Sequence, residues 1–240
     1  MTDDTAIAAQ GKSFLEVGGK LSRSLDKLKT YYELNHLKPN PSKTEVCAFH
    51  LRNNEANRKL KVVWSGQELK HNDTPRYLGV TLDRSLTYKQ HCHYSKLKVS
   101  SRNNIIKKLT GSTVLRTSAI ALSFSAAEYA APVWKSSAHA KEVDVALNEA
   151  GRTVTGLLKT TPVDKIYSIA GIAPPDIRRT VSAEAEKQKQ LSDPRHPLHG
   201  HIAPPPRLKS RRSFLQHTRQ LYRSSTGRKE TRVSCSPPCL

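Results

Sequence analysis

The apolar residues of this chain change their spacing twice, and a polypeptide can bury only the faces that its spacing creates. Phe14, Val17, Leu21, Leu25, Leu28 and Tyr32 recur at steps of three and four, which places them on one side of a helix predicted over residues 12–35. Gly18 and Gly19 weaken its first turns. Lys38-Pro39-Asn40-Pro41 stops it, since a proline has no amide to donate and biases the residue before it away from helix. Four short β-branched or aromatic runs follow: TEVCAFHL, LKVVWSG, QELK and YLGVTLD, with Ser65-Gly66 as a turn. They read as a small antiparallel meander. After Thr87 the helical spacing returns over residues 88–109, 114–130, 138–158, 164–170 and 176–190, punctuated by Gly111, Pro132, Pro162 and Pro174-Pro175. The fold class is therefore α+β: a helix with short antiparallel strands, then a helical bundle. The bundle's expected buried faces are Leu97, Ile105 and Leu109; Leu115, Ala119, Leu122 and Ala126; and Val143, Leu147, Val154 and Leu157.

Charge separates the end of the chain from the rest. From Asp193 onward, Asp193 and Glu230 are the only acids against ten Lys and Arg, in a stretch containing PRHPLHGHIAPPPRLKSRRS. Dense proline and few large apolar residues make 193–240 a basic, disordered tail by expectation, with a short helix over 210–224 as the alternative within it, carrying Phe214, Leu215, Leu221 and Tyr222. The whole chain has 40 Lys and Arg against 20 Asp and Glu, a net charge of +20. Such an excess favours a polyanionic partner, nucleic acid before a membrane surface. The most apolar stretch, AIALSFSAAEYAAPVW, is broken by Glu128 and several serines and falls short of the roughly 18 residues of a membrane span. MTDDTAIAAQ has acids where a secretory signal carries base. Cys47, Cys92, Cys235 and Cys239 are too few and too irregular for a disulfide framework, which suits a reducing interior, nuclear or cytoplasmic.

Several residues can carry chemistry. Asp3-Asp4 followed by Ala6-Ile7-Ala8 has the form of a tight turn projecting carboxylates toward Mg²⁺, although two acids also suit a solvated terminus or a helix cap. Lys96, Lys98, Arg102, Lys107 and Lys108 fall on a helix where cations can meet phosphates, or simply water. His91-Cys92-His93 and the Cys235, Cys239 pair lack a second ligand pair at zinc-site spacing, and adjacent residues on a helix point apart. Tyr31 and Tyr32 read as core. No phosphate-binding glycine loop, dinucleotide fingerprint or Ser-His-Asp set is present.

Taken in order, MTDD, the helix ending Leu28-Lys29-Thr30-Tyr31-Tyr32, the segment Asn35-His36-Leu37-Lys38-Pro39-Asn40-Pro41-Ser42-Lys43-Thr44 and Tyr77-Leu78-Gly79-Val80-Thr81-Leu82-Asp83 resemble the reverse transcriptase of jockey-like non-LTR retrotransposons. AEYAAPVW, the helix with Val143, Asp144, Leu147 and Asn148, and GIAPPDIRR are similar to the thumb and post-thumb region of the same polyproteins. The resemblance, over residues 1–190, implies a partial palm over 1–87 running from the third palm motif to the primer grip. It further implies a helical thumb and post-thumb region over 88–192, preceding the basic tail 193–240. Asp3 and Asp4 would be the metal-binding catalytic pair, with Met1 and Thr2 in place of the usual aromatic and alanine. Lys43 would act as an acid toward pyrophosphate or as a phosphate-screening cation, or stay solvated. Tyr77, Leu78 and Gly79 would form the primer-grip turn, the plain alternative being a buried strand with a bulge glycine. The first palm motif and its aspartate are absent from the 240 residues, and two-metal phosphoryl transfer needs carboxylates on both ions. The implied protein is a polymerase portion that binds RNA and DNA and is inactive alone; the competing expectations are a non-enzymatic basic nucleic-acid binder and one half of a split polymerase whose partner supplies the upstream half.

Overall fold

A computed structural model gives the fold over residues 5–200, the span described below. Helix α1 (Phe14–Leu34) starts where Ser13 Oγ accepts the Glu16 amide and the Glu16 carboxylate accepts the Lys12 amide, so two orphan donors find partners. It ends at Asn35, before the prolines are reached. There His36 adopts a φ of 54°, its amide bonding the Glu33 carbonyl while the Leu37 amide bonds that of Tyr32, a closure that terminates a helix from within. The expected face is the one that packs. Leu25 is buried, and Phe14, Val17, Leu21 and Tyr32 lie half-buried against Val46, Leu60, Val62, Trp64 and Leu69. Tyr31, expected in the core, is 55% exposed.

The strands depart from an antiparallel meander. β2 (Val63–Trp64) and β3 (Gln67–Glu68) pair antiparallel across the Ser65-Gly66 turn, as do β5 (Arg76–Tyr77) and β6 (Val80–Thr81), but β1 (Glu45–Val46) pairs with β4 (Lys70–His71) in parallel. The segment 67–72 thus changes partner along its length: the Leu69 amide bonds the Val62 carbonyl, and the Asn72 amide that of Val46. β1 stops because the backbone beyond it is engaged elsewhere. The His50 amide bonds the Arg84 carbonyl at 3.0 Å, and the Arg84 guanidinium donates to the His50 and Arg52 carbonyls at 3.2 Å. Groups so occupied cannot extend a ladder.

From Lys89 to Ser192 the elements are all helical: α2 (Lys89–Lys108), α3 (Leu115–Ala119), a π-helical turn (Ile120–Phe124), α4 (Ser125–Glu128), α5 (Ala131–Trp134), α6 (Ala140–Thr155), α7 (Val163–Ala170) and α8 (Pro175–Ser192). The π turn widens the expected 114–130 helix at the level where Arg102 donates to the Leu122 carbonyl at 2.5 Å and Ser123 Oγ donates to Asn103 at 2.7 Å. α5 was not expected, because Pro132 reads as a breaker; in a first helical turn its missing amide costs nothing.

The buried face of α2 also differs from expectation. It consists of His91, Cys92, Ser95, Val99, Asn103 and Ile106, whereas Leu97 and Ile105 are each 52% exposed. α2 lies against α6, and Asn103 is sealed there with both ends satisfied, its amide donating to the Ala146 carbonyl at 2.8 Å. Trp134, Phe124, Val143 and Leu147 are wholly buried around this contact. Two ion pairs bind α8 to it. Arg179, 4% exposed, makes a two-pronged contact with Asp144 and lies 5.4 Å from the Trp134 ring centre; Arg178 makes a similar fork with Glu128.

Candidate nucleic-acid interface

α2 carries cations and no carboxylate of its own. Its start is organised by Asp83 rather than by the residue at its N-cap, Tyr88, which sits at a φ of 58° and caps nothing with its side chain. The Asp83 carboxylate accepts the Tyr88 amide at 2.6 Å, the Thr87 amide and hydroxyl at 3.0 and 2.9 Å, and the Ser85 hydroxyl at 3.2 Å. Burial works against its charge, but these donors outweigh it and hold the carboxyl below its ordinary pKa. From that start, KQHCHYSKLKVSSRNNIIKK runs for 20 residues with six cations and no carboxylate.

The five cations singled out by sequence do not share one role. Arg102 is engaged with the Leu122 carbonyl, and Lys107 with Glu149 of α6 at 2.6 Å. Lys96, Lys98 and Lys108 have no ion pair among the described residues, and neither has Lys89. Between them lies an exposed strip containing His93, Tyr94, Leu97, Ser101, Asn104 and Ile105. Tyr94 is 55% exposed and meets the His93 ring edge-on at 6.1 Å between centres.

Tyr77, Leu78 and Gly79 are neither buried nor bulged. They form the tip of the β5–β6 hairpin, with Leu78 and Gly79 at φ values of 45° and 79°, a two-residue turn of the kind that matches strand twist. Tyr129, which sequence reasoning passed over, fixes that tip. Its hydroxyl donates to the Leu78 carbonyl at 2.8 Å, and its ring would come within 3.0 Å of a Cβ on Gly79. The hairpin base is tied to α2 by the Thr81 amide, which donates to His91 Nδ1 at 3.4 Å. Burial, and then the charge of Arg76, lowers the His91 pKa and keeps that nitrogen free to accept.

Lys43 is exposed at the end of a short 3-10 turn, Pro41–Lys43, that Asn40 caps through the Ser42 amide. Asp3 and Asp4 lie outside the described residues, as do Cys235, Cys239 and the segment 210–224, so the Mg²⁺ expected with the aspartates has no described site. Among the described residues no group of three or more His, Cys, Asp or Glu is placed to hold a metal. Cys92, between His91 and the exposed His93, is wholly buried, and burial pushes its thiol up to about 11. An open cleft of about 1380 Å³ separates the 49–51 and 84–88 segments from α5 and α8. Two of its polar groups are already committed, Glu128 to Arg178 and Ser137 to the Thr87 carbonyl.

The missed residues carry the motifs' structural content. Glu128 and Trp134 of AEYAAPVW meet Arg178 and Arg179 of GIAPPDIRR; Asn148 accepts the Tyr167 hydroxyl at 2.6 Å; and Arg116 caps the end of α7 by donating to the Ala170 and Gly171 carbonyls. Opposite charges 35 and 50 residues apart, as in Asp144 and Arg179 or Glu128 and Arg178, leave no periodic signal by which a sequence could pair them.

What these features define is an α+β protein with a lysine-lined, carboxylate-free helix on its surface. Comparison with known proteins adds a distant, partial relationship to reverse transcriptases. Over 89 residues, 37% of this chain, it is 33% identical to the RNA-directed DNA polymerase from mobile element jockey of Drosophila melanogaster. The matched stretch covers 9% of that polymerase. No family model matches the chain, and no solved structure matches it.

Proposed function

We propose that this chain is the C-terminal part of a retrotransposon RNA-directed DNA polymerase that holds RNA or DNA and does not polymerise alone. The observation that carries the reading is the 33% identity to the jockey polymerase over 89 residues. Its nucleic-acid-binding part rests on α2, six cations without a carboxylate, in a chain of net charge +20. In this reading residues 1–87 are a partial palm, 88–192 the thumb and post-thumb region, and 193–240 an added basic arm. The hairpin tip Tyr77-Leu78-Gly79 steadies a primer end, and Lys43 faces the phosphates of an incoming nucleotide.

Asp3 and Asp4 supply one carboxylate pair; Mg²⁺ bound there would activate a 3′-hydroxyl and stabilise leaving pyrophosphate, provided a further aspartate completes the site. Primer extension on poly(rA)/oligo(dT) with Mg²⁺ or Mn²⁺ should stay at background for the chain alone. Adding a separately expressed upstream half restores incorporation if the chain is half of a split polymerase, and leaves it at background if the protein is a non-enzymatic binder. Strong incorporation by the chain alone, abolished in Asp3→Ala, contradicts the reading. Binding should be sequence-tolerant and steeply salt-dependent, with a flatter salt slope after removal of 193–240, which holds ten of the forty basic residues.

A further inference from the structure

The strip between the lysines of α2 is the wrong surface for phosphates and the right one for bases. At 100° per residue, Lys89, Lys96 and Lys107 run along the edge next to α6, where Lys107 reaches Glu149; Lys98 stands on the opposite edge, and Lys108 closes the strip at its C-terminal end. The middle is uncharged. Tyr94, Leu97 and Ile105 are all more than half exposed, and Ser101 and Asn104 stand among them with side chains able both to donate and to accept. From Tyr94 to Ile105 the strip extends about 16 Å along the axis.

A surface with cations at its margins and an aromatic, aliphatic and amide centre matches a strand whose bases are unpaired, the backbone following the lysines and the bases lying on the strip. A duplex offers it little. Its base faces are stacked inside, and its outermost groups are phosphates, which would meet Leu97 and Ile105 rather than charge. An acidic protein segment would find the lysines but no reason for the ring pair His93 and Tyr94.

We infer that the outer face of α2 is a binding site for single-stranded nucleic acid, with Tyr94 as its stacking platform and Lys96 and Lys98 as phosphate contacts on its two edges. The inference rests on the proposed nucleic-acid-binding function and specifies which form of nucleic acid this face takes.

Fluorescence anisotropy of the full chain with a labelled oligo(dT) and with a duplex of equal length tests it. The single strand should bind more tightly at equal salt. Tyr94→Ala should weaken single-strand binding at least about fivefold, a stacking contact's worth, with the salt slope unchanged. Tyr94→Trp should retain binding, which shows that the loss is one of ring contact and not of folding. Lys96→Ala with Lys98→Ala should reduce the slope of log K against log salt by about 1.4, two single-strand phosphates' worth. Equal or preferential duplex binding, or an unchanged affinity in Tyr94→Ala, overturns the inference while leaving the proposed function standing. Absence of binding to either nucleic acid overturns both, and is the outcome expected if α2 docks a protein.

Discussion

The region around Trp64 and the region around Trp134 are held together by different means. In the first, Leu25, Val46, Leu60, Val62, Trp64 and Leu69 form a small cluster that half-buried side chains of α1 cover on one side. Its ladders are two residues long, and side chains hold the loops between them: Asn72 donates to Glu45, and Arg84 to His50, Arg52 and Asn53. Its ion pairs, such as Lys20 with Glu16 and Arg58 with Glu55, join residues three or four apart, and their cations reach into water. In the second, helices satisfy their own backbone, so side chains are free to interlock. Cys92, Val99, Phe124, Trp134, Val143, Leu147 and Ala150 are wholly buried, and long-range ion pairs lock α8 onto them. The difference shows where a lean apolar composition has been spent: the wholly buried side chains are concentrated among the helices, and the strands rely on polar clamps.

Each region contains one of the chain's two tryptophans. Fluorine NMR of fluorotryptophan-labelled protein in urea therefore reads both in one sample, and substitutions at four positions test the contrast. The largest effect should come from Arg179→Ala, which strands Asp144 in a mostly buried setting and removes the cation from Trp134; a loss of about 3–5 kcal/mol is expected at the Trp134 resonance. Arg179→Lys should recover little, since an ammonium cannot make the fork. A loss under about 1 kcal/mol would put this pair with the surface ones and erase the contrast.

Leu25→Ala should lower stability by about 2–3 kcal/mol at the Trp64 resonance, the low end for such a truncation because the cluster around it is open and can collapse. The Trp134 resonance should hold its midpoint. Were both to shift together, the two regions would unfold as one unit.

Asp83→Asn keeps the shape at the junction of the regions and removes the charge, and should cost about 2 kcal/mol near neutral pH. The sign of its pH dependence follows from a folded pKa below the ordinary value. The contribution is full above about pH 4 and is lost as the pH falls through the folded pKa, so wild type and Asp83→Asn should converge in acid. Divergence in acid would contradict the assignment.

The smallest effect belongs to the hairpin tip. Gly79→Ala imposes a left-handed φ of 79° on a residue with a Cβ and presses that Cβ to 3.0 Å from the Tyr129 ring, an expected cost of about 1–2 kcal/mol. It should appear as faster amide exchange at Val80 and Thr81, without change at either tryptophan. Unchanged exchange would mean that Tyr129 yields freely and does not fix the tip.

The periodic elements were legible because periodicity is local. Phe14, Val17, Leu21, Leu25 and Tyr32 do form the packing face of α1, and the helices near 89–108, 140–155, 163–170 and 175–192 fall where spacing and breakers place them. The Ser65-Gly66 turn was legible for the same reason. The parallel β1–β4 pairing was not, because two-residue strands carry too little pattern to select a partner and the choice fell to where Arg84 holds the 50–52 backbone. The α2 face was misread at Leu97 and Ile105 because size and apolarity point inward on average, whereas α6 offers a site that fits Asn103 and Val99.

At the candidate interface the same division holds. That α2 is a basic helix without a carboxylate is a property of its residues alone, and so is the 33% identity over 89 residues to the jockey polymerase. Which of its cations are available was decided by the fold: Arg102 and Lys107 were taken by partners 20 and 42 residues away, and Lys96, Lys98 and Lys108 were not. The hairpin tip on Tyr129, the Asp83 clamp on the start of α2 and the pairing of Asp144 with Arg179 were likewise settled in three dimensions. Spacing along a chain governs which side of an element a residue occupies; what that side meets depends on the packing of all the others.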